Sequence, residues 1–564
     1  MSALLIALGA IVLFWLGYQF YSRAFERVWR LNPANQTPAQ RHHDGIDYVP
    51  AKHWTILFGH HFSSIAGAAP VIGPIIALSI WGWMPALLWI VLGSVLLGGI
   101  HDFSALMVSL RSDGTSIANV AREVISQRAK IVFSIFIWLT LILVIAVFVH
   151  FCASTLVAES KIVIPTFGLI PIAMLIGFML YDIKFNQIST TLLGLAMLGA
   201  LIMFGNNFPI EAVKFAYKLK GYTFVLGPLQ IWSILLLTYA FFASITPVQF
   251  LLQPRDYLCG FLLFGGIILG LTGLFVTRPA MQLPAFVGWN VKHNHLWPML
   301  FVTVACGAIS GFHSLIASGT TSKQLANERD ARRIGYGAMI AEALVALLAL
   351  LMVSAAVANM ASLGEILKVG GGPIAAFSQG FAYVTKPFLG KYGGLIAIII
   401  LNAFILTTLD TATRIGRYLT QELLGLHNRY ISTLLVIVAS AALALGGGWN
   451  RIWPLFGAAN QLVAALALIV VTAWLLSRQR SIKFTLLPSL IMLVTTIAAL
   501  IYQIIDLAKR NFNVTAQAST KNWPLFFIAL SLLGLAFYML LEIDIILFRS
   551  IKERKERRSK QEHA

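Results

Sequence analysis

The chain has 564 residues, of which 58% are hydrophobic and only 11% are charged. Apolar runs of more than about 18 residues recur along it, which excludes a soluble globular protein and predicts an all-α polytopic membrane protein. The net charge of +19 does not indicate nucleic-acid binding, because the basic residues lie in short segments between apolar runs. In that position they set the orientation of the spans.

The first apolar run, residues 1–22, contains no charged residue, which predicts a retained extra transmembrane helix and not a cleaved signal peptide. Residues 23–52 then carry five Lys and Arg residues and are predicted to be cytoplasmic. Over the whole chain, Lys and Arg favour the resulting topology by about two to one. The N-terminus is therefore predicted outside, and residues 548–564 are predicted to form a basic cytoplasmic tail.

Residues 55–80, TILFGHHFSSIAGAAPVIGPIIALSI, form an apolar segment of membrane length with Gly, Pro, Ser and two His residues in its middle. Glycine costs a helix up to about 1 kcal/mol and an internal proline about 3 kcal/mol, so a break near the bilayer midplane is expected. Broken backbone is tolerated there only where protein or a water-filled cavity satisfies it, which predicts the wall of a binding site. The substrate-binding residues predicted here are His60, His61, Phe62, Ser63 and Ser64. Adjacent helical residues diverge by about 100°, so only one of the two histidines is expected to face the cavity.

A second interrupted span is predicted at residues 228–252, where Ser244, Thr246 and Pro247 lie within an apolar run. It is the sixth span counted from the first interrupted one and has the opposite orientation, which is typical of a LeuT-like 5+5 inverted repeat. Phe241, Phe242, Ser244 and Thr246 are predicted to form the second substrate-binding wall. The predicted boundaries are 53–414 for the core, about 53–205 for repeat one, about 228–414 for repeat two, and 431–547 for about four extra C-terminal helices.

Residues 299–320 are dense in small and hydroxylated side chains, and as the eighth core span they are expected to pack beside the first. Such hydroxyls either coordinate a cation or bond back to their own helix, and the sequence leaves both open. Buried ionisable residues are costly and therefore functional candidates. Asp102 is expected to pair with Arg111, and Asp410 with Arg414. For Glu342 the sequence leaves two roles open, an ion pair or ion coupling. The residues predicted for a coupling H+ or Na+ are Ala66, Ser310, His313, Ser314, Ser318, Glu342 and Asp410.

An intramembrane zinc enzyme is the main alternative, because His60, His61, His101 and Asp102 offer metal-ligating side chains. Their spacing matches no helix-borne ligand motif such as HExxH, and no Walker motif is present. The three cysteines lie in apolar runs without paired spacing, so no disulfide or CxxC metal site is indicated. The chain is accordingly expected to be no enzyme and to hold no metal or cofactor beyond a coupling ion.

Six segments carry a family resemblance: DGIDYVPAKHWTILFGHHFSSIAGAAPVIGP (44–74), FFASITPVQFLLQPRDYL (241–258), SGFHSLIASGTTSKQ (310–324), RRIGYGAMIAEALVALLAL (332–350), LTTLDTATRIGRYLTQE (406–422) and PLFGAANQLVAALAL (454–468). On these segments the chain resembles the carbon starvation protein A (CstA) family, bacterial inner-membrane transporters with a LeuT-like core. The resemblance covers nearly the whole length.

The resemblance implies secondary import of small nutrients during carbon limitation, with peptides as the first substrate and proton-coupled pyruvate uptake as the alternative. Both substrates carry a carboxylate, which half-helix N-termini bind. A channel would move solute without accumulating it, and a starvation sensor would bind without transport. Membrane lipids are the expected surroundings, with no nucleic acid and no obligatory protein partner. The segment 361–391 is expected to be a re-entrant or interfacial outer gate.

Overall fold

The computed structural model describes residues 2–212, 214–219, 222–291, 293–368, 371–446, 449–512 and 522–562. Within these ranges, thirteen helical stretches are long and apolar enough to cross a membrane, and Arg429–Leu445 is a shorter apolar helix. The predicted polytopic membrane protein is therefore confirmed. Two short antiparallel strand pairs depart from the all-α prediction: β1 (Phe215–Leu219) with β2 (Tyr222–Leu226), and β3 (Asn290–Val291) with β4 (Asn294–His295).

The helices up to residue 207 are α1 (Ala3–Leu16), α2 (Ser22–Trp29), α3 (Pro38–Arg41), α4 (Trp54–Ile65), α5 (Ala69–Trp81), α6 (Trp83–Gly93), α7 (Gly99–Arg111), α8 (Ile117–Val124), α9 (Gln127–Ala158), α10 (Val163–Gly177) and α11 (Gln187–Asn207). Single π-helical turns at Gly17–Tyr21 and Ser94–Gly98 join α1 to α2 and α6 to α7. Each of these two pairs therefore forms one span.

The helices that follow are α12 (Pro228–Ile245), α13 (Leu252–Thr277), α14 (Leu296–Thr303), α15 (Gly311–Gly319), α16 (Ala331–Ala356), α17 (Met360–Lys368), α18 (Gly372–Leu389), α19 (Gly393–Leu424), α20 (Arg429–Gly446), α21 (Trp449–Ser477), α22 (Lys483–Phe512) and α23 (Trp523–Glu562). Helices α20–α23 occupy the region in which about four extra C-terminal helices, within 431–547, are predicted from the sequence. The predicted tail at 548–564 continues α23 as far as Glu562, and its side chains lie outside the described residues.

The break predicted in residues 55–80 is confirmed. Helix α4 ends at Ile65 and α5 begins at Ala69. Pro70 lies in the first turn of α5, where a helix does not need the N–H that proline lacks. The interruption therefore spans only residues 66–68.

The interruption predicted halfway along residues 228–252 is wrong. Helix α12 is continuous from Pro228 to Ile245, and Thr246 is its C-cap with extended backbone. Pro247 follows the end of the helix, where it cannot disturb an internal hydrogen bond. The apolar run continues into the start of α13, so the boundary between two helices resembled a break within one.

The second interrupted segment is residues 296–319, where the sequence indicated one continuous span. Helix α14 ends at Thr303 and α15 begins at Gly311, which leaves the non-helical residues 304–310 between them. The segment 361–391, expected to be a gate without a span, contains the 18-residue helix α18 and most of α17.

Helices α4, α5, α7, α15 and α16 pack as one bundle, and the two 32-residue helices α9 and α19 pack against each other. Helix α13 lies along α4 with backbone approaching backbone. A Cβ on Gly260 would come 3.1 Å from the Cα of Gly59, so only glycines permit this approach. The close crossing brings the start of α13 against the middle of α4.

Candidate functional site

The end of α4 leaves backbone carbonyls without helical partners, as every helix C-terminus does. Two hydroxyls of α19 satisfy them: Thr407 Oγ1 donates to the Ser63 carbonyl at 2.8 Å, and Thr408 Oγ1 donates to the Ser64 carbonyl at 3.0 Å. The Ser64 hydroxyl also lies 3.2 Å from Thr411 Oγ1. Helix α19 therefore supplies the hydrogen bonds that a broken backbone requires inside a membrane.

A buried charge network lies beside this break. His60 Nδ1 is 2.7 Å from Asp256 Oδ2, and Arg255 donates to the other Asp256 oxygen at 2.7 Å. Arg255 also pairs with Asp410, whose Oδ2 accepts a 2.6 Å bond from the Tyr239 hydroxyl. These carboxylates, the guanidinium and the imidazole are fully buried. The network therefore holds two carboxylates and one guanidinium, with an imidazole hydrogen-bonded to one of the carboxylates.

The two histidines of α4 point to different partners, as their angular separation predicts. His60 Nε2 lies 3.3 Å from both Thr320 Oγ1 and Gln324 Nε2. His61 Nδ1 lies 2.8 Å from Thr321 Oγ1, and its Nε2 has no hydrogen-bond partner among the described residues. Both rings therefore contact the segment that follows α15.

Of the other residues predicted to bind substrate, Ser63 and Ser64 lie at the break, but the remaining ones do not converge on it. Phe62 packs against Phe264 with ring centroids 5.3 Å apart, and Phe242 next to Phe241 is 58% exposed on the surface of α12. Ser244 faces α20, where its hydroxyl is 3.4 Å from Thr433 Oγ1. Thr246 contributes its carbonyl, which accepts a hydrogen bond from Arg414. Arg414 thus caps α12, whereas sequence reasoning paired it with Asp410.

At the second break, Asn460 of α21 holds the start of α15. Its Oδ1 accepts a 2.8 Å bond from the Phe312 amide, and its Nδ2 donates to Ser310 Oγ at 2.9 Å. The Ser314 and Ser318 hydroxyls donate at 2.7 Å to carbonyls of their own helix. This is the packing alternative that the sequence left open for these two serines.

A second buried cluster joins α7, α15 and α16. Asp102 accepts from His101 Nδ1 at 2.7 Å and from His313 Nδ1 at 2.8 Å, and His313 Nε2 lies 3.1 Å from Glu342 Oε2. The Sγ of Cys306 lies close to these last two residues. The zinc set considered from the sequence is not assembled, because the histidines of α4 bond elsewhere. Asp102 also does not pair with Arg111, whose partner is Glu328.

Two cavities lie along α19, one on each side of the first break. The first has a volume of 30 Å³ and is apolar, with Ala66 and Val71 from the break region and Phe404 from α19 in its wall. The second has a volume of 90 Å³ and is lined by Ser318, Lys323, Tyr418 and Glu422 among others. The α19 residues that bond to the broken helix lie between the two cavities in the sequence. A single helix thus contributes to the walls of both cavities.

The 90 Å³ cavity carries charges of both signs. Lys323 Nζ lies 4.0 Å from the centroid of the Tyr418 ring and 5.3 Å from that of Tyr48. Burial lowers the pKa of Lys323, and the carboxylates of Asp47 and Glu422 oppose this effect. Glu422 accepts a 3.2 Å hydrogen bond from the Ser116 hydroxyl and is exposed. Cation and carboxylate are therefore both available to a solute in this cavity.

Sequence reasoning missed Arg255, Asp256 and Cys306. The first two form an adjacent charge pair in LLQPRDYLCG, inside an apolar run, which is a signal for a buried ion pair. Cys306 had no such signal, because its partners come from helices distant in sequence. Only the packing of α14, α15 and α16 shows that it faces His313 and Glu342.

Many apolar spans, an interrupted helix with charges buried at its break, and cavities on both sides of that break define a multi-pass membrane transporter. The chain belongs to the family described as carbon starvation protein CstA, whose model matches residues 2–363 and 354–499. This confirms the resemblance.

Two Escherichia coli (strain K12) proteins are each 32% identical to it. The peptide transporter CstA aligns over 88% of this chain and 80% of its own length, and the pyruvate/proton symporter BtsT over 88% and 81%. The peptide transporter CstA of Bacillus subtilis (strain 168) is 31% identical over 88% of this chain and 89% of its own. A solved manganese transporter of Eremococcus coleocola has a TM-score of 0.50 and 13% identity, covering 89% of this chain and 99% of its own. That likeness concerns the fold alone.

Proposed function

We propose that this protein is a secondary active importer of small peptides in the bacterial inner membrane, working by alternating access. The observation that carries the proposal is the course of α19, which walls a cavity on each side of the first break and bonds to the break between them. Opening one cavity and closing the other would require the contacts that hold α19 against α4 and α13 to rearrange, including those of Thr407 and Thr408 and the Arg255–Asp410 pair. The topology predicted from basic residues assigns the 90 Å³ cavity to the cytoplasmic side, with the N-terminus outside.

The two interrupted segments support an inverted repeat whose second half begins at α14 and not at α12. Counting α4–α5 as the first span, α14–α15 is the eighth and therefore runs in the opposite direction. A helix of 32 residues comes after each interrupted segment, with shorter helices between them. It is α9 after α4–α5 and α19 after α14–α15. Helix α13 packs against α4, and α21 packs against α14 and α15. In this arrangement α10–α11 and α17–α18 are insertions, and α22–α23 are the additional C-terminal helices.

The charges in the 90 Å³ cavity favour a zwitterion. Lys323 is available to the carboxylate that peptides and pyruvate share, and Glu422 is available to an ammonium group, which a peptide has and pyruvate lacks. Charged hydrogen bonds of this kind contribute about 1.5–3 kcal/mol each. Pyruvate is the second candidate, because a relative at the same identity is a pyruvate/proton symporter.

The network of His60, Asp256, Arg255 and Asp410 offers a place for the coupling ion. It holds two carboxylates for one guanidinium beside the break, and Asp410 Oδ1 has no hydrogen-bond partner within the described residues. A proton or Na+ bound at Asp410 would favour the compact arrangement of α4, α13 and α19. Among the residues predicted for coupling, Asp410 is thus the one we propose. The others remain predictions: Ala66, Ser310, His313, Ser314, Ser318 and Glu342.

Uptake into proteoliposomes tests the proposal. Labelled di- and tripeptides and labelled pyruvate are each offered with an inward proton gradient and then with a sodium gradient. The proposal predicts peptide accumulation above the external concentration under one of the two gradients. Accumulation of pyruvate alone would select the second candidate, and uptake of neither under both gradients would contradict the importer.

Two variants test the substrate subsite. Lys323→Met should reduce peptide uptake at limiting concentration by about 10- to 100-fold, which corresponds to one lost charged hydrogen bond. Glu422→Gln should reduce peptide uptake while leaving any pyruvate uptake unchanged. The exposed Lys509 and Glu365 provide matched controls as Lys509→Met and Glu365→Gln. Equal uptake by all four variants would show that the substrate does not bind in this cavity.

A further inference from the structure

Three side chains of different types converge between α14, α15 and α16. The Sγ of Cys306, a ring nitrogen of His313 and a carboxylate oxygen of Glu342 all lie within 4.8 Å of one another. All three residues are buried. They come from the non-helical segment 304–310, from the first turns of α15 and from the middle of α16, so the fold and not a sequence motif assembles them.

The orientation of His313 is that of a metal-ligating histidine. Its Nδ1 lies 2.8 Å from Asp102 Oδ2, so the Nδ1 proton is held by a buried carboxylate. Asp102 is itself fixed by a 2.7 Å bond with His101. A carboxylate that binds one ring nitrogen directs the lone pair of the other nitrogen outward and increases its basicity, as it does in metal sites.

Among the described residues, the Glu342 carboxylate and the facing nitrogen of His313 lack hydrogen bonds of good geometry, whereas Cys306 Sγ donates to Ser310 Oγ at 3.4 Å and accepts from Asn460 Nδ2 at 3.5 Å. Neither oxygen of Glu342 nor His313 Nε2 has a partner with hydrogen-bond geometry in the described part of the chain, although Nε2 and Oε2 are 3.1 Å apart. Buried polar groups are nearly always satisfied, and a bound cation would satisfy the Glu342 oxygens, whose one close polar contact in the described part of the chain is the 3.1 Å ion pair with His313. Two ligands at about 2.1 Å from a tetrahedral zinc ion lie about 3.4 Å apart, which is close to the 3.1 Å between His313 Nε2 and Glu342 Oε2.

We propose that Cys306, His313 and Glu342 bind one zinc ion, with water in the fourth position. A thiolate, an imidazole and a carboxylate are the three ligand types that Zn²⁺ takes in proteins. The thiolate and the carboxylate balance the charge of the ion. Ca²⁺ and Mg²⁺ prefer oxygen ligands alone and do not suit this set.

The ion would join the second break to its neighbours. Asn460 holds the break at the start of α15, and the zinc would connect residue 306 to α15 and α16. This inference goes beyond the proposed import function, and it concerns a resident ion and not the coupling ion. It can therefore stand or fall independently of any transport result.

Metal analysis of the full-length protein tests the inference. The protein is purified in detergent after growth with zinc and analysed by mass spectrometry for Zn per chain. About one zinc per chain is expected in the wild type, and at least a tenfold loss in Cys306→Ala and in Glu342→Gln. Cys259→Ala removes another buried cysteine that lies outside the cluster and should keep the metal. Wild-type protein without zinc, or Cys306→Ala with an unchanged zinc content, would overturn the proposal.

A spectroscopic measurement covers the case in which a variant does not fold. Wild-type protein is stripped of metal with a chelator and loaded with Co²⁺, which should give a thiolate-to-cobalt charge-transfer band. The more conservative Cys306→Ser should bind Co²⁺ without that band, whereas Cys259→Ser should retain it. A band of equal intensity in Cys306→Ser, or no band in the wild type, would contradict thiolate ligation.

Discussion

The two interrupted segments of this transporter solve the same backbone problem in different ways. The break between α4 and α5 comprises residues 66–68, and the threonine hydroxyls of α19 bond to the carbonyls before it. The break between α14 and α15 comprises residues 304–310, and the Asn460 side chain bonds to the backbone after it. The charged side chains at the first break belong to the neighbouring helices α13 and α19. At the second break, Cys306 belongs to the non-helical segment itself.

The difference indicates a division of roles between the breaks. Hydroxyl contacts from a single helix can rearrange together, so the first break suits a joint that opens and closes. The second break leaves buried acceptors without partners, so it suits a fixed ligand. The following predictions test whether the first break depends on its charges and hydroxyls and whether the second depends on close packing.

The largest effect is expected from Arg255→Met at the first break. Removing this guanidinium leaves Asp256 and Asp410 buried without their cation, which costs about 3–5 kcal/mol in comparable buried pairs. Thermal unfolding of the detergent-purified protein should show a large loss of stability or no folded protein. Arg510→Met, which breaks an exposed pair with Asp506, should change the free energy of unfolding by at most about 1 kcal/mol. Equal stability of the two variants would mean that the buried network does not hold the break.

The next largest loss of stability is expected from overpacking at the second break. A Cβ on Gly311 would lie 2.2 Å from the Asn460 carbonyl oxygen and 2.5 Å from the Ala464 amide nitrogen, and neither backbone atom can turn away. Gly311→Ala should therefore cost about 3 kcal/mol, the upper end of ordinary overpacking. Gly199→Ala is the control, because nothing lies within 4 Å of a Cβ there. Unfolding measurements that place both variants near the wild type would show that α15 and α21 are not tightly packed.

The sequence alone was sufficient for the first break and for the family. Gly59, Gly67, Pro70 and the histidine pair interrupt an apolar run, and helix propensity alone then predicts a break. The second break could not be located in this way, because residues 304–310 contain only one glycine and no proline. The start of α15 is held by Asn460, a residue about 150 positions later.

The pairing of buried charges was also beyond the sequence. Asp410 and Arg414 are one helical turn apart on α19, and proximity in sequence favoured their pairing. In the structure Asp410 pairs with Arg255 of α13, while Arg414 reaches Asp47 and the end of α12. Helix crossings decide these partners, and the close Gly59–Gly260 approach that sets one crossing has no signature in either helix alone.

A moderate effect is expected from Thr408→Val at the first break. The substitution keeps the shape of the side chain but leaves the Ser64 carbonyl without its 3.0 Å donor, which costs about 1–3 kcal/mol in a buried site. Thr413→Val on the same helix is the matched control. Within the described part of the chain its hydroxyl bonds only to the Leu409 carbonyl of α19, which already accepts a helical bond. If unfolding shows equal losses for both, the contact between α19 and the break contributes nothing specific.

The smallest effect is a pH-dependent contribution of Asp47 to stability. Asp47 lies in the N-terminal segment that packs against α19. Burial raises the pKa of Asp47, but Arg414, Arg417 and Lys323 outweigh it and hold the pKa below its ordinary value. A carboxyl group with a lowered pKa in the folded state contributes stability above its unfolded pKa of about 3.9, and this stability is lost as the pH falls through the folded value. The contribution of Asp47, which is 19% exposed, should be about 1 kcal/mol.

Asp47→Asn should therefore lower the melting temperature at pH 7, and the difference from the wild type should shrink as the pH falls below about 4. Asp506→Asn, at an exposed pair on α22, should show almost no difference at either pH. A difference for Asp47→Asn that is independent of pH would mean that the aspartate acts through packing and not through its charge. The salt bridges to Arg414 and Arg417 would then not be what holds the segment against α19.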